Sequence, residues 1–227
     1  MLTRTLYRLI PGFIGKPIYR RLKALLATLR TQQSAALPSL ELRAEHLAHL
    51  HVVPDRRAFV ERLPKGACVA ELGVADGDFS ELILTIAQPR RLHLIDAWDH
   101  ARFQRGQARV RERFASAIAA GQVAIDVGIS YEALERFPDA HFDWIYIDTD
   151  HTYRTTQREL RVCAQKLKPS GLIAGHDYVT GNWNSGMRYG VVEAVHEFCV
   201  EAGWELILLT HETDRHLSFA LRRITAA

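Results

Sequence analysis

Acidic and imidazole side chains crowd two short stretches of this chain. Asp148, Asp150 and His151 lie within YIDTDHTY (Tyr146 to Tyr153), and His176 and Asp177 lie within GHDY (Gly175 to Tyr178). Carboxylate oxygens suit a hard divalent cation, and imidazoles suit proton transfer near neutral pH. Each acidic cluster arrives where an apolar run stops, after Phe142 to Ile147 and after Gly171 to Ala174. Short, apolar, turn-bounded runs read as strands buried on both faces of a parallel sheet. Ligands of open α/β sheets bind at the carboxyl ends of such strands, so these five side chains are expected on one rim.

A second chemical feature sits at Glu71 to Ser80, ELGVADGDFS, where a strand-like run meets a glycine turn and then a helical pattern. Glycines there let a cofactor approach the backbone closely. A dinucleotide would want G-x-G-x-x-G, but Ala75 stands where the second glycine should be. Glu71, Asp76 and Asp78 would also repel a pyrophosphate, cancelling the attraction of a helix N-terminus for anions. A cofactor carrying an ammonium and a sulfonium fits that charge better. Asp96 closes the next strand-like run, in HLIDAW, where an acid commonly meets ribose hydroxyls.

The elements that must position these groups alternate along the chain. Helical periodicity appears near Leu40 to His51, Arg56 to Leu63, Phe79 to Ala87, Ala101 to Ala120, Thr152 to Leu167 and Val191 to Ala202. Strand-like runs fall at Ala67 to Leu72, Arg91 to Ile95, Val123 to Val127, Phe142 to Asp148, Gly171 to Ala174, Glu205 to Thr210 and His216 to Leu221. This alternation predicts an α/β fold with seven strands, mostly parallel, helices on both faces and an antiparallel hairpin at the edge.

Length and composition agree with one main domain, since 227 residues at 48% hydrophobic content can bury a large core. Cys68, Cys163 and Cys199 lie far apart, without zinc-like or disulfide spacing, which fits a reducing, cytoplasmic setting. The net charge of +3 hides an asymmetry: seven basic residues, Arg4 to Arg30, precede the first acid, Glu41. The rest is mildly acidic, which argues against a nucleic-acid-binding face. Leu22, Leu25, Leu26 and Leu29 recur at helical spacing beside Arg20, Arg21, Lys23 and Arg30, predicting a basic amphipathic helix. It either meets the inner membrane surface or a partner peripherally, or packs on its own domain or on a second copy in a homo-oligomer. No run is long enough to span a bilayer. Residues 1–45 are assigned to this helical extension and residues 46–227 to the main domain, with Gln32 to Ser39 as the best linker.

With these features in place, the chain resembles the class I S-adenosylmethionine-dependent methyltransferases. The resemblance rests on E-x-G-x-x-x-G at Glu71, Gly73 and Gly77 and on the acid Asp96, and covers about Arg57 to the C-terminus. YIDTDHTY, LKPSGLIAGHDY and GVVEAVHEF (Gly190 to Phe198) resemble the metal-dependent subgroup that methylates macrolide and aminocoumarin sugars. It implies a Rossmann-like class I methyltransferase fold and methyl transfer from S-adenosylmethionine to a hydroxyl of a small molecule, such as a sugar or natural product, assisted by magnesium or manganese. Glu71, Gly73 and Gly77 would then hold the cofactor, with Glu71 near its ammonium, Ser80 near its carboxylate and Ser130 near its adenine. Asp148 and Asp177 would hold the metal, with His176 a third candidate whose imidazole favours a softer ion.

His151 stands where the resembling enzymes place a base, and methyl transfer to oxygen needs a hydroxyl proton removed. Asp150 reads equally as ligand, base or helix cap. Asp78 and Glu81 read as a capping box, and Trp98 as packing. A metal-independent methyltransferase, or a noncatalytic binding module of the same fold, is the alternative.

Overall fold

The computed structural model describes residues 12–99, 103, 105–182, 186–212 and 216–225, with side chains described from Pro17 onward. Two compact units, Met1–Pro38 and Ser39–Ala227, divide the chain inside the expected linker. In the first, helix α1 (Gly12–Ala35) carries Ile18, Tyr19, Leu22, Leu25, Leu26 and Leu29, all exposed. At 100° per residue these six fall on one arc, with Arg21 on one flank and Lys23 and Arg30 on the other, as an amphipathic helix requires.

The second unit is an eight-stranded sheet. In chain order its strands are β1 (His51–Val53), β2 (Cys68–Leu72), β3 (Arg91–Asp96), β4 (Val123–Val127), β5 (Phe142–Ile147), β6 (Leu167–Gly175), β9 (Trp204–Thr210) and β10 (Phe219–Arg223), with a separate hairpin of β7 (Gly181–Asn182) and β8 (Met187–Arg188). They lie in the order β1-β9-β10-β6-β5-β2-β3-β4. Only β10 runs against its neighbours. The strand order reverses between β2 and β5, which creates the crevice where α/β sheets bind ligands.

Apolar side chains alternate across the sheet because successive residues of a strand face opposite ways. On β5, Ile145 and Ile147 join the core that holds Leu160, Cys163 and Phe198, while Trp144 and Tyr146 join the core with Phe59, Phe79 and Ile83. Helices cover both faces: α2 (Arg56–Glu61), α3 (Asp78–Leu82, prolonged by a π turn at Ile83–Ala87), α4 (Gly106–Arg113), α5 (Ala115–Ala119), α6 (Ser130–Glu135), α7 (Tyr153–Lys166) and α8 (Val191–Ala202).

Four expectations need correction. The sheet has eight strands rather than seven: the helical pattern at Leu40 to His51 yields only a 3-10 turn, Ala44–Leu47, and then β1, parallel to β9. Val52 and Val53 are β-branched, and Val53 precedes Pro54, which disfavours helix. The closing hairpin is not at the edge either, because β10 inserts between β6 and β9 and β1 covers β9. The described part of Ala101 to Ala120 breaks at Phe114 into α4 and α5. Asp78 and Glu81 do not cap α3; Gly77 is its N-cap, and both carboxylates pair with Arg113.

Candidate active site at the carboxyl rim of the sheet

The glycine turn is built around the crevice between β2 and β5. Gly73 has φ 83°, and a Cβ there would sit 1.9 Å from the Asp148 carbonyl oxygen. Glycine is therefore required by the neighbouring strand end itself, which is held by Asp148 N–H donating to Leu72 O at 2.8 Å. Gly77 has φ 84°, and a Cβ there would press on Phe114 at 2.9 Å. Asp96 stabilises the turn: Oδ2 accepts from the amides of Val74 (2.8 Å) and Ala75 (2.9 Å), and Oδ1 accepts from Trp98 N–H at 2.8 Å. Trp98 is buried, and its indole donates to Ala75 O at 2.9 Å, in keeping with a packing role.

Glu71 ends 1% exposed at this turn, and its Oε2 has no hydrogen-bond partner. Burial pushes its carboxyl up to about 8; the nearby Ser80 hydroxyl opposes the shift without reaching hydrogen-bonding geometry. Ser80 Oγ is likewise buried and unpartnered. Two orphaned polar groups side by side are costly unless a ligand satisfies them. A carboxyl that lacks only a cation fits the ammonium of S-adenosylmethionine.

Asp148, His151 and Asp177 bring one ligand atom each within 4.8 Å of one another. Asp148 follows β5, and His151 lies three residues on in the same loop; Asp177 follows β6, hydrogen-bonded to β5 through His176 N–H donating to Ile147 O at 2.9 Å. His151 Nδ1 lies 3.0 Å from Asp177 Oδ2, while His216 Nδ1 pairs with Asp177 Oδ1. Burial would raise the Asp177 carboxyl, but the His151 hydrogen bond and the surrounding imidazoles outweigh it and hold the group down to about 2. Asp148, 3.5 Å from Arg56 Nη2, goes the other way: burial lifts it to about 6, with Arg56 opposing. For His151, burial lowers the pKa, but the Asp177 hydrogen bond and charge prevail and raise it.

The other anticipated residues lie apart from this trio. His176 turns its Nδ1 to Ser218 Oγ at 3.1 Å, and burial, with Arg56 adding, lowers it to about 3, leaving a neutral ring outside the trio. Asp150 serves the start of α7, accepting from Thr152 N–H at 2.9 Å and from Thr155 Oγ1 at 2.7 Å. The N-cap of α7 is Thr152 rather than Asp150, and Asp150 braces the turn ahead of it. Ser130 points inward and donates to the buried Glu159. In the loop that follows Asp177, Trp183 and Asn184 lie outside the described residues, while Asn182 and Arg188 form the β7–β8 hairpin.

Sequence reasoning missed Arg56, Tyr189, His216 and Glu159. Arg56 carried a faint signal, since a cation in the first turn of a helix works against the macrodipole and calls for another partner. Glu159 likewise interrupts the apolar stripe of α7, and it accepts from both Ser130 and Thr149 Oγ1 (3.0 Å). Nothing in the sequence pointed to Tyr189 or His216, which pack against His151 and Asp177 only in the folded chain.

Residues 70–178 match the family model described as a methyltransferase domain. No curated protein matches the chain in sequence. Among solved structures, a SAM-dependent methyltransferase from Aquifex aeolicus is 15% identical with a TM-score of 0.54, over 79% of this chain and 93% of that one. The B. subtilis tRNA methyltransferase TrmK is 14% identical with a TM-score of 0.53, over 76% and 67%. The pyocyanin biosynthetic protein PhzM is 15% identical with a TM-score of 0.54, over 70% of this chain. This chain spans about half the length of PhzM, 51%. The fold is that of the class I methyltransferases, and residues 70–178, which carry the glycine turn with its orphaned Glu71, match a methyltransferase domain.

Proposed function

We propose that this protein is an S-adenosylmethionine-dependent methyltransferase that methylates a hydroxyl oxygen of a small molecule, such as a sugar or natural product, with His151 as general base. One observation carries the reading: His151 Nδ1 lies 3.0 Å from Asp177 Oδ2, in a cluster beside the crevice. The neighbouring carboxylate favours the proton on Nδ1, leaving Nε2 to take a proton, and stabilises the imidazolium that forms. Glu71 and Ser80 orient the amino-acid end of the cofactor, while Asp96 keeps the Val74 and Ala75 amides in place. S-Adenosylmethionine, when bound, supplies an electrophilic methyl on a sulfonium. Burial of the rim excludes water, and alignment of the hydroxyl against His151 supplies most of the acceleration.

The close approach of Asp148, His151 and Asp177 favours a second component, a divalent cation. Held by these residues, it would supply Lewis acidity at the acceptor oxygens. A mixed carboxylate and imidazole set fits manganese better than magnesium. The two roles compete for His151, because an imidazole that spends its lone pair on a metal no longer accepts a proton. Activity of the purified protein after chelation separates them. Full activity with His151→Ala inactive supports the base alone; activity lost and restored by Mn(II) supports the ion. Activity unaffected by both treatments removes the proposal.

Helix α1 supports a peripheral contact with an anionic membrane surface, its exposed leucines entering the interface and Arg21, Lys23 and Arg30 snorkelling beside them. Among the described residues, no helix is long and apolar enough to cross a membrane. Co-sedimentation with anionic but not neutral vesicles is expected; equal recovery without vesicles, together with a dimer by light scattering, would assign the stripe to a second copy instead.

A further inference from the structure

Away from the rim, at the amino half of the sheet, Cys68, His93 and His141 each bring a ligand atom within 4.8 Å of the other two. Cys68 opens β2, His93 lies within β3, and His141 immediately precedes β5. Parallel pairing sets Cys68 against Arg91 and Ala70 against His93, so Cys68 and His93 project from the same face of the sheet. Cys68 and His93 are buried, while His141 is partly open.

We propose that Cys68, His93 and His141 form a binding site for one zinc-class transition metal ion, separate from the methyl-transfer centre. One thiolate and two imidazoles are the donors a borderline-soft ion selects, and a hard ion such as magnesium would not choose them. Bond lengths of roughly 2.3 Å to sulfur and 2.0 Å to nitrogen place tetrahedral S and N donors about 3.5 Å apart. Cys68 Sγ and His141 Nε2 are already 3.6 Å apart. The His93 ligand atom lies within 4.8 Å of both, so His93 is the donor whose movement closes the site.

The surroundings support ligation independently of that spacing. His93 Nδ1 is bonded to Asp126 Oδ2 at 2.9 Å, which leaves Nε2 as the ring nitrogen with a free lone pair. Metal-ligating histidines usually have such a carboxylate behind them to fix tautomer and orientation. Phe137 and Phe142 pack against both imidazoles at 4.7 to 5.6 Å between ring centroids, forming a low-dielectric wall. A second nearby acid, Asp143, is spent on the Cys68 amide (2.7 Å), Arg90 (3.1 Å) and Lys168 (2.5 Å). Three protein donors leave the fourth position for water on the open side of His141.

Cys68 is a buried free thiol 3.6 Å from the His141 ring nitrogen Nε2. Binding then exchanges the Cys68 proton for the ion: the S–H bond breaks, a metal–sulfur bond forms, and one proton is released to solvent without any change of oxidation state.

Cobalt(II) titration of the chelator-stripped full chain tests this, read by near-ultraviolet thiolate-to-cobalt charge transfer. The band is expected to saturate near one equivalent, to vanish in His141→Ala and Cys68→Ser, and to persist in Asp177→Asn. His141→Ala, at a partly open position, keeps the test valid if Cys68→Ser fails to fold. Absence of the band in the unmodified chain, or its survival in His141→Ala, overturns the proposal. The readout needs no methyl transfer, so its failure is distinct from failure of the catalytic reading.

Discussion

His151 and Asp177 meet 3.0 Å apart across the carboxyl ends of neighbouring strands, and both hold left-handed backbone, at φ 62° and 57°. Neither is glycine, and such conformations cost on the order of 1–3 kcal/mol each. Local bonds hold them: Gly190 N–H donates to His151 O at 2.9 Å, and Val179 N–H donates to Asp177 O at 2.7 Å. Tyr189 adds its ring at 4.8 Å from the His151 ring. Two strained residues in mutual contact at a crevice are the pattern of a pre-organised pair.

Replacing Asp177 with Asn should expose the pair's function. Asp177 raises the His151 pKa, so the acid limb of the pH–rate profile should lie above the ordinary histidine value of about 6.5. Asp177→Asn removes the anion and shifts that limb to lower pH, while the maximal rate falls by up to ~10²-fold because the remaining base is weaker and less firmly held. A lowered rate with an unmoved limb would count against His151 as the base.

The contrast between Asp177 and its predecessor shows what the sequence could reveal. Strand ends and glycine turns were legible because buried parallel strands are short, continuous and apolar, and because acids at their ends have few structural uses. Hence Asp148 and Asp177 were found together, and so were Glu71, Gly73 and Gly77. Side-chain direction was not legible: His176 and Asp177 are adjacent, yet one turns to Ser218 and the other to two histidines. Long-range partners were hidden for the same reason, since His216 and Arg56 reach Asp177 and Asp148 only through strand insertion and helix packing. The strand β1 was missed because three residues carry too little periodicity to outweigh a neighbouring helical pattern.

Cofactor binding should release a proton from Glu71. Its carboxyl, at about 8 in the free protein, is mostly protonated at neutral pH. An ammonium beside it favours the anion, so affinity should rise with pH until about 8 and level off above. Calorimetry in buffers of different ionisation enthalpy should detect the released proton, and Glu71→Gln should abolish both it and the pH dependence. Identical proton counts for the two proteins would show that the cofactor does not meet this carboxyl. The free fold has the opposite trend: folding favours protonated Glu71, so this stability is full below about 4.5 and declines as pH rises towards 8.

Glu159 offers a stability measurement that bypasses catalysis. It is fully buried, accepts from Ser130 and Thr149, and is pushed up to about 7 by burial, with the two hydroxyls opposing. Folding therefore favours its protonated form, and that contribution is lost as pH rises from the unfolded value of 4.5 through about 7. Glu159→Gln should flatten this part of the stability–pH curve. Glu159→Ala, which strands two hydroxyls beside a cavity, should cost about 2–4 kcal/mol. Denaturant midpoints on either side of neutrality provide the comparison; parallel curves for the unmodified chain and Glu159→Gln would refute the assignment.

Arg56 separates a metal site from a purely protein-paired cluster. Its guanidinium lies 3.5 Å from Asp148 Oδ2 and packs over the Phe79 ring at 5.0 Å from its centroid. A bound cation at Asp148 would compete with it, two positive charges sharing one carboxylate. Removing Arg56 has two opposed effects. Asp148, already near 6, loses the charge that holds it down, so its pKa rises and protons compete better at acid pH. Above that range the carboxylate is ionised and unpaired, and repulsion of the metal is gone. Arg56→Gln should therefore weaken Mn(II) binding at acid pH and tighten it at alkaline pH, by about tenfold if the relieved repulsion approaches 1.4 kcal/mol. Electron paramagnetic resonance of free Mn(II) follows both limbs. If neither protein binds Mn(II) saturably at either pH, Asp148 belongs to Arg56 alone, and the rim works through His151 and Asp177 without a metal.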